Sequence, residues 1–149
     1  PPPPLFFFPP DAATRAPLWS RGLGDVYKRQ YFDSGDPYHC LCQKTSRLIA
    51  EKLSLDEKDY ITAFQSRFGP SEWLKPYTSE TMKSLPKEGI KSVQVVSPGF
   101  GVDNLETLQE IDIENKEYFE DAGGENFHYI PCLNDDDDHV EFLISLIGK

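Results

Sequence analysis

Segments with helical spacing of hydrophobic residues alternate with short apolar runs along residues 31–149. This pattern predicts the secondary structure of that part of the chain. Residues 37–53 carry apolar side chains at helical spacing, with Asp36 as a helix N-cap and Pro37 as a first helical residue. Three short runs are rich in apolar, β-branched and aromatic residues. These runs predict strands at residues 60–66, 90–96 and 127–130.

The remaining segments predict helices between and after the strands. A short helix begins at Thr78 or Ser79 and is distorted or ended by Pro86. A last helix runs through Ile147, capped by Asn134 or by an aspartate of residues 135–138, and the acidic residues lie at its positive end. With one more helix between the second and third strands, helices and strands alternate throughout. This order predicts an α/β fold: a parallel, doubly wound, Rossmann-like three-layer sheet that binds ligands beyond the carboxyl ends of its strands.

The helix between Gly101 and Gly123 is the most distinctive segment, and we call it the acidic helix. Its glutamates recur every four residues, and we call them the glutamate row: Glu106, Glu110 and Glu114. At about 100° per residue the row spans roughly 80°, and Asp103 and Glu117 fall in the same arc. The row is either an ordinary solvated face or a site that binds or relays a cation.

A second, apolar stripe of the acidic helix is predicted to pack against the sheet. At α-helical spacing it comprises Leu105, Leu108, Ile111, Tyr118, Phe119 and Ala122. The Gly123-Gly124 pair is a typical helix C-cap and should end this helix.

Composition excludes several classes of function. The net charge of −10 opposes nucleic-acid binding, which needs Lys and Arg to neutralise phosphates. The three cysteines have neither the number of a disulfide framework nor the spacing of a zinc site, so we expect a cytoplasmic protein. No apolar run reaches the roughly 18 residues of a membrane-spanning helix, and any membrane contact should be peripheral.

Residues 1–30 differ from the rest of the chain. They hold seven of the thirteen prolines, and residues 11–30 carry four of the fifteen basic residues but only two of the twenty-five acidic ones. We interpret residues 1–30 as a non-native or disordered segment, with a Pro-rich native arm as the alternative. We expect no regular element there and one domain over residues 31–149.

Four segments of the chain, taken together, resemble the second half of bacterial ferrochelatase. They are GDPY at 35–38, FQSRFGPSEWLKPYTSET at 64–81, VVSPGFGVDNLETLQEI at 95–111 and YIPCLN at 129–134. The resemblance implies a lyase of haem biosynthesis that inserts ferrous iron into a porphyrin, either protoporphyrin IX or coproporphyrin. It further implies two similar α/β domains facing a porphyrin cleft, with Fe²⁺ as substrate and no tightly bound cofactor.

The same resemblance implies roles for individual residues. Glu106 matches the catalytic glutamate of the family, and Asp103 with the glutamate row matches its metal path. A histidine of some family members is replaced here by Asn104. The residues implied to contact the porphyrin are Gln65, Ser66, Trp73 and Phe100. For Trp73, packing in the core is an equally good interpretation.

One part of the family pattern is missing. The resemblance places a histidine motif, S-x-H-G-x-P, shortly before GDPY, but this chain has LGDVYKRQ at residues 23–30. We therefore expect a truncated C-terminal portion that is inactive alone. Two alternatives stay open: a related chelatase that acts on a cobalt or sirohaem-type tetrapyrrole, and a non-catalytic α/β binding module with an acidic partner face.

Overall fold

The computed structural model describes residues 5–7, 35, 37–65 and 72–148. Its strands form one parallel sheet with the order β2-β1-β3-β4. The strands are β1 Leu5–Phe7, β2 Tyr60–Thr62, β3 Ser92–Val96 and β4 Asn126–Ile130. The α-helices are α1 Tyr38–Lys52, α2 Thr78–Ser84, α3 Lys116–Asp121 and α4 Asp137–Ile147. A π-helix, Glu106–Asn115, leads directly into α3, so the two together form the acidic helix.

The predicted alternation of helices and strands is confirmed, and so is the parallel α/β sheet. Pro86 acts as expected, because α2 ends at Ser84 and gives way to the 3₁₀-helix Leu85–Glu88. The strand predicted at 60–66 is shorter than expected, since β2 ends at Thr62 and Phe64 makes only an isolated bridge with Tyr77. The predicted cap Asp36 and the predicted porphyrin contact Ser66 lie outside the described residues.

The expectation that residues 1–30 contain no regular element is wrong at Leu5–Phe7. These residues form β1, which pairs in parallel with β2 on one side and β3 on the other. The prolines of this segment flank Leu5–Phe7 in sequence, so each strand residue keeps the backbone N–H that a ladder requires. The non-native origin of residues 1–30 stays a prediction.

The sheet carries helices on both faces, as the three-layer prediction requires. On one face, the Thr62 hydroxyl donates to Ser46 Oγ of α1 at 2.7 Å, and Phe64 packs with Cys42 of the same helix. Ala63 points to the opposite face because successive residues of an extended chain alternate. That face holds the main core, formed by the buried side chains of Ala63, Met82, Leu85, Val93, Val95, Ile111, Phe119 and Tyr129.

The last helix, α4, forms where the sequence places it but remains at the surface. All of its side chains but that of His139 are exposed. Its large apolar members are Val140, Phe142, Leu143, Ile144, Leu146 and Ile147. In the part of the chain that the structure describes, no helix is both long and apolar enough to cross a membrane.

The acidic helix ends at Gly123-Gly124, as predicted. The Gly123 N–H donates to Glu120 O at 2.9 Å, the Gly124 N–H donates to Phe119 O at 2.9 Å, and Gly123 has a φ of 96°. This is the Schellman pattern, in which a left-handed glycine closes the helix. Lys91 Nζ adds a hydrogen bond to Gly123 O at 2.6 Å, so the end of the helix is tied to the start of β3.

Gly124 should not tolerate a larger side chain, because a Cβ there would overlap the ring of Phe119, which is fully buried. We expect Gly124→Ala to lower the free energy of unfolding by about 1–3 kcal/mol, the usual cost of overpacking. The measurement is urea denaturation of the 149-residue chain. In Phe119→Leu/Gly124→Ala the smaller side chain leaves room for the added methyl group, so the loss should be less than the sum of the single losses. Strictly additive losses would contradict this account.

Candidate functional site

The acidic helix opens with an unusual backbone. Residues 106–115 form a π-helix, in which hydrogen bonds join residues five apart, so each turn takes more than four residues. Two side chains follow the same spacing: Asn115 Nδ2 donates to Glu110 O at 2.6 Å, and Gln109 Nε2 donates to Glu114 Oε1 at 3.3 Å. Such wide turns are rare in proteins, and those that do occur are often found at functional sites.

The wide turns change which side chains reach the core. Leu105 and Leu108, predicted to belong to the apolar stripe, are 75% and 48% exposed, so that prediction is wrong for both. It assumed an α-helical turn, whereas a longer turn brings every fourth residue to the sheet. The buried residues of the acidic helix are accordingly Thr107, Ile111, Asn115 and Phe119.

The three glutamates of the glutamate row still lie along one side of the helix in the π-helical geometry. Because residues four apart fall slightly short of one π turn, Glu106, Glu110 and Glu114 still follow one another along the helix. All three side chains are partly buried, whereas Glu117 and Glu120 of α3 are exposed. Among the described residues, no three His, Cys, Asp or Glu side chains are grouped so as to hold a metal ion. The carboxylates thus form a line and not a closed cage.

Asn104 and Thr107 close the first turn of the acidic helix. The Thr107 N–H donates to Asn104 Oδ1 at 3.1 Å, and the Asn104 N–H donates to Thr107 Oγ1 at 2.9 Å. This reciprocal pair resembles a capping box and satisfies backbone donors that a helix start leaves unpaired. It also fixes the backbone on both sides of Glu106.

Asp103 is the centre of a hydrogen-bond network at the carboxyl edge of the sheet. Its Oδ1 accepts from the Tyr129 hydroxyl at 2.7 Å, from the Thr107 hydroxyl at 3.1 Å and from the Cys132 N–H at 3.2 Å. Its Oδ2 accepts from Asn134 Nδ2 at 2.8 Å. Both oxygens therefore serve the local structure, whereas the resemblance counts Asp103 with the metal path.

The network keeps Asp103 ionised. Burial acts to raise its pKa, but the hydrogen bonds from Asn134, Tyr129 and Cys132 outweigh burial and lower the pKa to about 2. Burial raises the pKa of the Tyr129 hydroxyl and that of the Cys132 thiol, so both neighbours stay protonated near neutral pH. One carboxylate with neutral donors around it is the stable arrangement.

Three of the four residues expected to contact a porphyrin lie within the described part of the chain. Gln65 is half-buried just beyond β2, and Phe100 is half-buried in the turn after β3, where its N–H donates to Ser97 O at 3.0 Å. Both follow the carboxyl ends of parallel strands, where such folds bind ligands. Trp73 is 6% exposed, as the packing interpretation requires. Contact of any of these residues with a porphyrin remains a prediction.

Comparison with known proteins assigns the family. The ferrochelatase family model matches residues 26–149. The chain belongs to the ferrochelatase family. Its relatives include the ferrochelatases of Hydrogenovibrio crunogenus, with 59% identity over 119 residues, and of Pseudoalteromonas atlantica, with 56% identity over 121 residues. These alignments cover 80% and 81% of this chain, but 32% and 34% of the relatives.

A third relative, the ferrochelatase of Marinobacter nauticus, is 57% identical over 118 residues, or 79% of this chain and 32% of the relative. The chain thus spans about a third of the length of the curated ferrochelatases it matches. The resemblance inferred from the four sequence segments is confirmed. The family match begins at residue 26, so most of the Pro-rich segment lies outside it.

Several partners of Asp103 are not predicted by the sequence. The sequence pattern assigns no role to Tyr129 or Thr107 and predicts Asn134 only as a possible helix cap, whereas Asp136 occupies the cap of α4. The one available signal was the residue type of Asn134, because asparagine tolerates left-handed backbone after a strand. No pattern in the sequence indicates that Asn134 binds Asp103.

The low pKa of Asp103 predicts a defined pH dependence. An unfolded aspartate titrates near pH 4, so the stability that Asp103 contributes is present above about pH 4 and is lost as the pH falls toward 2. We expect Asp103→Asn to be less stable than the wild-type chain at pH 6, with a difference that shrinks between pH 4 and pH 2. Urea denaturation across this range measures it.

Glu120→Gln is the control for loss of one charge, since Glu120 is exposed on α3 of the same acidic helix. A stability difference for Asp103→Asn that stays constant from pH 6 to pH 2 would argue against the network as the cause.

Proposed function

We propose that residues 31–149 form the part of a ferrochelatase that carries its acidic helix, and that the complete enzyme inserts ferrous iron into a porphyrin. The single observation that carries this proposal is the partly buried glutamate row on a π-helix. A merely solvated face does not require carboxylates to be partly buried. Membership of the ferrochelatase family adds independent support.

The chemistry of metallation suits a row of glutamates. The reaction must remove water from Fe²⁺, take two protons from the pyrrole nitrogens and place the metal in the ring. Carboxylates bind a divalent ion of this kind weakly enough to pass it on, whereas thiolates select softer metals. Three carboxylates in line can transfer an ion stepwise, and Glu106, the last of them, can accept one pyrrole proton. The second proton would pass to a group in the part of the enzyme that this chain does not supply.

Iron enters this proposal as a substrate and not as a resident cofactor. The porphyrin, protoporphyrin IX or coproporphyrin, would lie beyond the carboxyl ends of the strands, near Gln65 and Phe100. Apolar walls that favour a bent macrocycle over a flat one would lower the barrier to metallation. This chain supplies the carboxylate side of that site, and the remaining two-thirds of a relative's length would supply the rest.

The proposal can be tested in a hybrid protein, in which residues 31–149 replace the matching part of the Hydrogenovibrio crunogenus ferrochelatase. We expect the hybrid to form haem from anaerobic Fe²⁺ and porphyrin. We expect Glu106→Gln to lower kcat by about tenfold to a hundredfold, because it removes a positioned proton acceptor while keeping the shape. Glu114→Gln, farther along the row, should mainly raise the KM for iron.

Glu120→Gln in the hybrid is the matched control and should change neither constant, because Glu120 lies on the exposed side of the helix. Unchanged kcat and unchanged iron KM in both row variants would show that the row is an ordinary solvated face. Turnover with cobalt and a sirohaem-type tetrapyrrole, but not with iron and porphyrin, would assign a related chelatase. An unmodified hybrid that binds neither metal nor tetrapyrrole would indicate a binding module.

The 149-residue chain alone should form no haem above the uncatalysed rate. The family's histidine motif is absent from residues 23–30, and metallation needs groups held on defined sides of the ring. The measurement is the Soret absorbance of porphyrin and anaerobic Fe²⁺, with the hybrid as the positive control. Haem formation by the chain alone would show that the missing motif is not required.

A further inference from the structure

Asn134 makes more hydrogen bonds around the site than any role as a helix cap requires. Its N–H donates to Gly101 O at 2.9 Å, and its Oδ1 accepts from the Asp103 N–H at 2.8 Å. Its Nδ2 donates to Asp103 Oδ2 at 2.8 Å and to Cys132 O at 3.0 Å. Its carbonyl oxygen lies 2.9 Å from His139 Nδ1. One side chain thus binds both the backbone and the carboxylate of Asp103.

The backbone of Asn134 is held in a conformation that residues other than glycine seldom adopt. Its φ is 49°, in the left-handed region, where a residue other than glycine is disfavoured and asparagine is among the best tolerated. Such strain persists only where surrounding contacts enforce it, and it clusters at functional sites. Here the enforcing contacts are those to Gly101 and Asp103.

These contacts reach the glutamate row in two steps. Asn134 fixes Asp103, and Asp103 Oδ1 accepts from the hydroxyl of Thr107. Thr107 is fully buried and pairs reciprocally with Asn104, so it sets the direction of the first turn. Glu106 precedes Thr107 directly and must follow its orientation.

We propose that Asn134 is a positioning residue for Glu106, which it orients through Asp103 and Thr107 without touching the glutamate row itself. This inference rests on the proposed function, in which Glu106 is the carboxylate that acts on the porphyrin. Asn134 thereby joins the end of β4 to the start of the acidic helix. A site that requires a proton acceptor in one exact place gains from such a joint, because small misplacements cost large factors in rate.

The test uses two substitutions that separate the backbone of Asn134 from its side chain. Asn134→Gly allows the left-handed backbone but removes the three side-chain hydrogen bonds. Asn134→Asp keeps an acceptor for the Asp103 N–H but turns an oxygen toward Asp103 Oδ2. In the exchanged pair Asp103→Asn/Asn134→Asp, a donor again faces an acceptor. Asn126→Asp is the matched control, since Asn126 is exposed at the start of β4.

The first measurement is amide hydrogen exchange on the 149-residue chain without any ligand. We expect Asn134→Gly to speed exchange at the Asp103 amide by at least about tenfold, while the amides of β3 exchange as in the wild-type chain. Unchanged exchange at Asp103 would overturn the proposal.

The second measurement is steady-state haem formation by the hybrid protein, at a temperature where each variant is fully folded. We expect Asn134→Gly and Asn134→Asp to lower kcat by about tenfold or more with little change in the porphyrin KM, and the exchanged pair to recover part of the loss. Asn126→Asp should match the unmodified hybrid. An unchanged kcat per folded molecule in Asn134→Gly would overturn the positioning role alone. An inactive unmodified hybrid would contradict the proposed function and, with it, the positioning role of Asn134.

Discussion

The reciprocal pairing of Asp103 and Asn134 is the interaction on which the site depends. Two residues that lie 31 positions apart exchange hydrogen bonds in both directions, from backbone to side chain and from side chain to side chain. The pair joins the two loops that follow β3 and β4, which are neighbouring parallel strands. The sheet brings these loops to one edge, and the pair fixes how the acidic helix leaves it.

The acidic helix has a fixed beginning and a fixed end. Asn104 and Thr107 close its first turn, and the Schellman pattern at Gly123-Gly124 closes its last, with Phe119 packed tightly against Gly124. Between these points the π-helix directs Thr107, Ile111 and Asn115 into the core and leaves the glutamate row at its border. Carboxylates at such a border are neither fully hydrated nor fully desolvated, which suits the cation transfer proposed for this row.

Local patterns in the sequence predicted most of the elements and one face of the site. The helix at 37–53 and the strands near 90–96 and 127–130 follow from short-range periodicity, and the glutamate row follows from its spacing. The helix type did not, because the predicted apolar stripe assumed an α-helical turn, and Leu105 and Leu108 were misplaced as a result. The four-residue repeat of the glutamate row was the available indication of a wider turn, whereas Thr107 and Asn115 are polar residues whose burial no hydrophobic pattern indicates.

The contacts that the sequence could not reveal are those between distant segments. Strand β1 pairs with residues more than fifty positions away, and no local pattern in a proline-rich run indicates such partners. The network around Asp103 joins three segments in the same way. In both cases the residue types permit the contact, but only the folded sheet selects it.

The π-helix has a consequence for how this segment can vary in length. Wide turns use more residues than α-helical turns, so the stretch between the two fixed ends holds more residues than an α-helix of the same span would need. The loss of one residue can be absorbed when a wide turn tightens into an α-helical one, although every glutamate beyond it then shifts by one position. Within residues 106–115, where the turns are already wide, an added residue cannot be absorbed in the same way. Insertions and deletions are therefore not equivalent in residues 106–115. A deletion can leave the backbone helical, but it moves the glutamates beyond it out of line with the others.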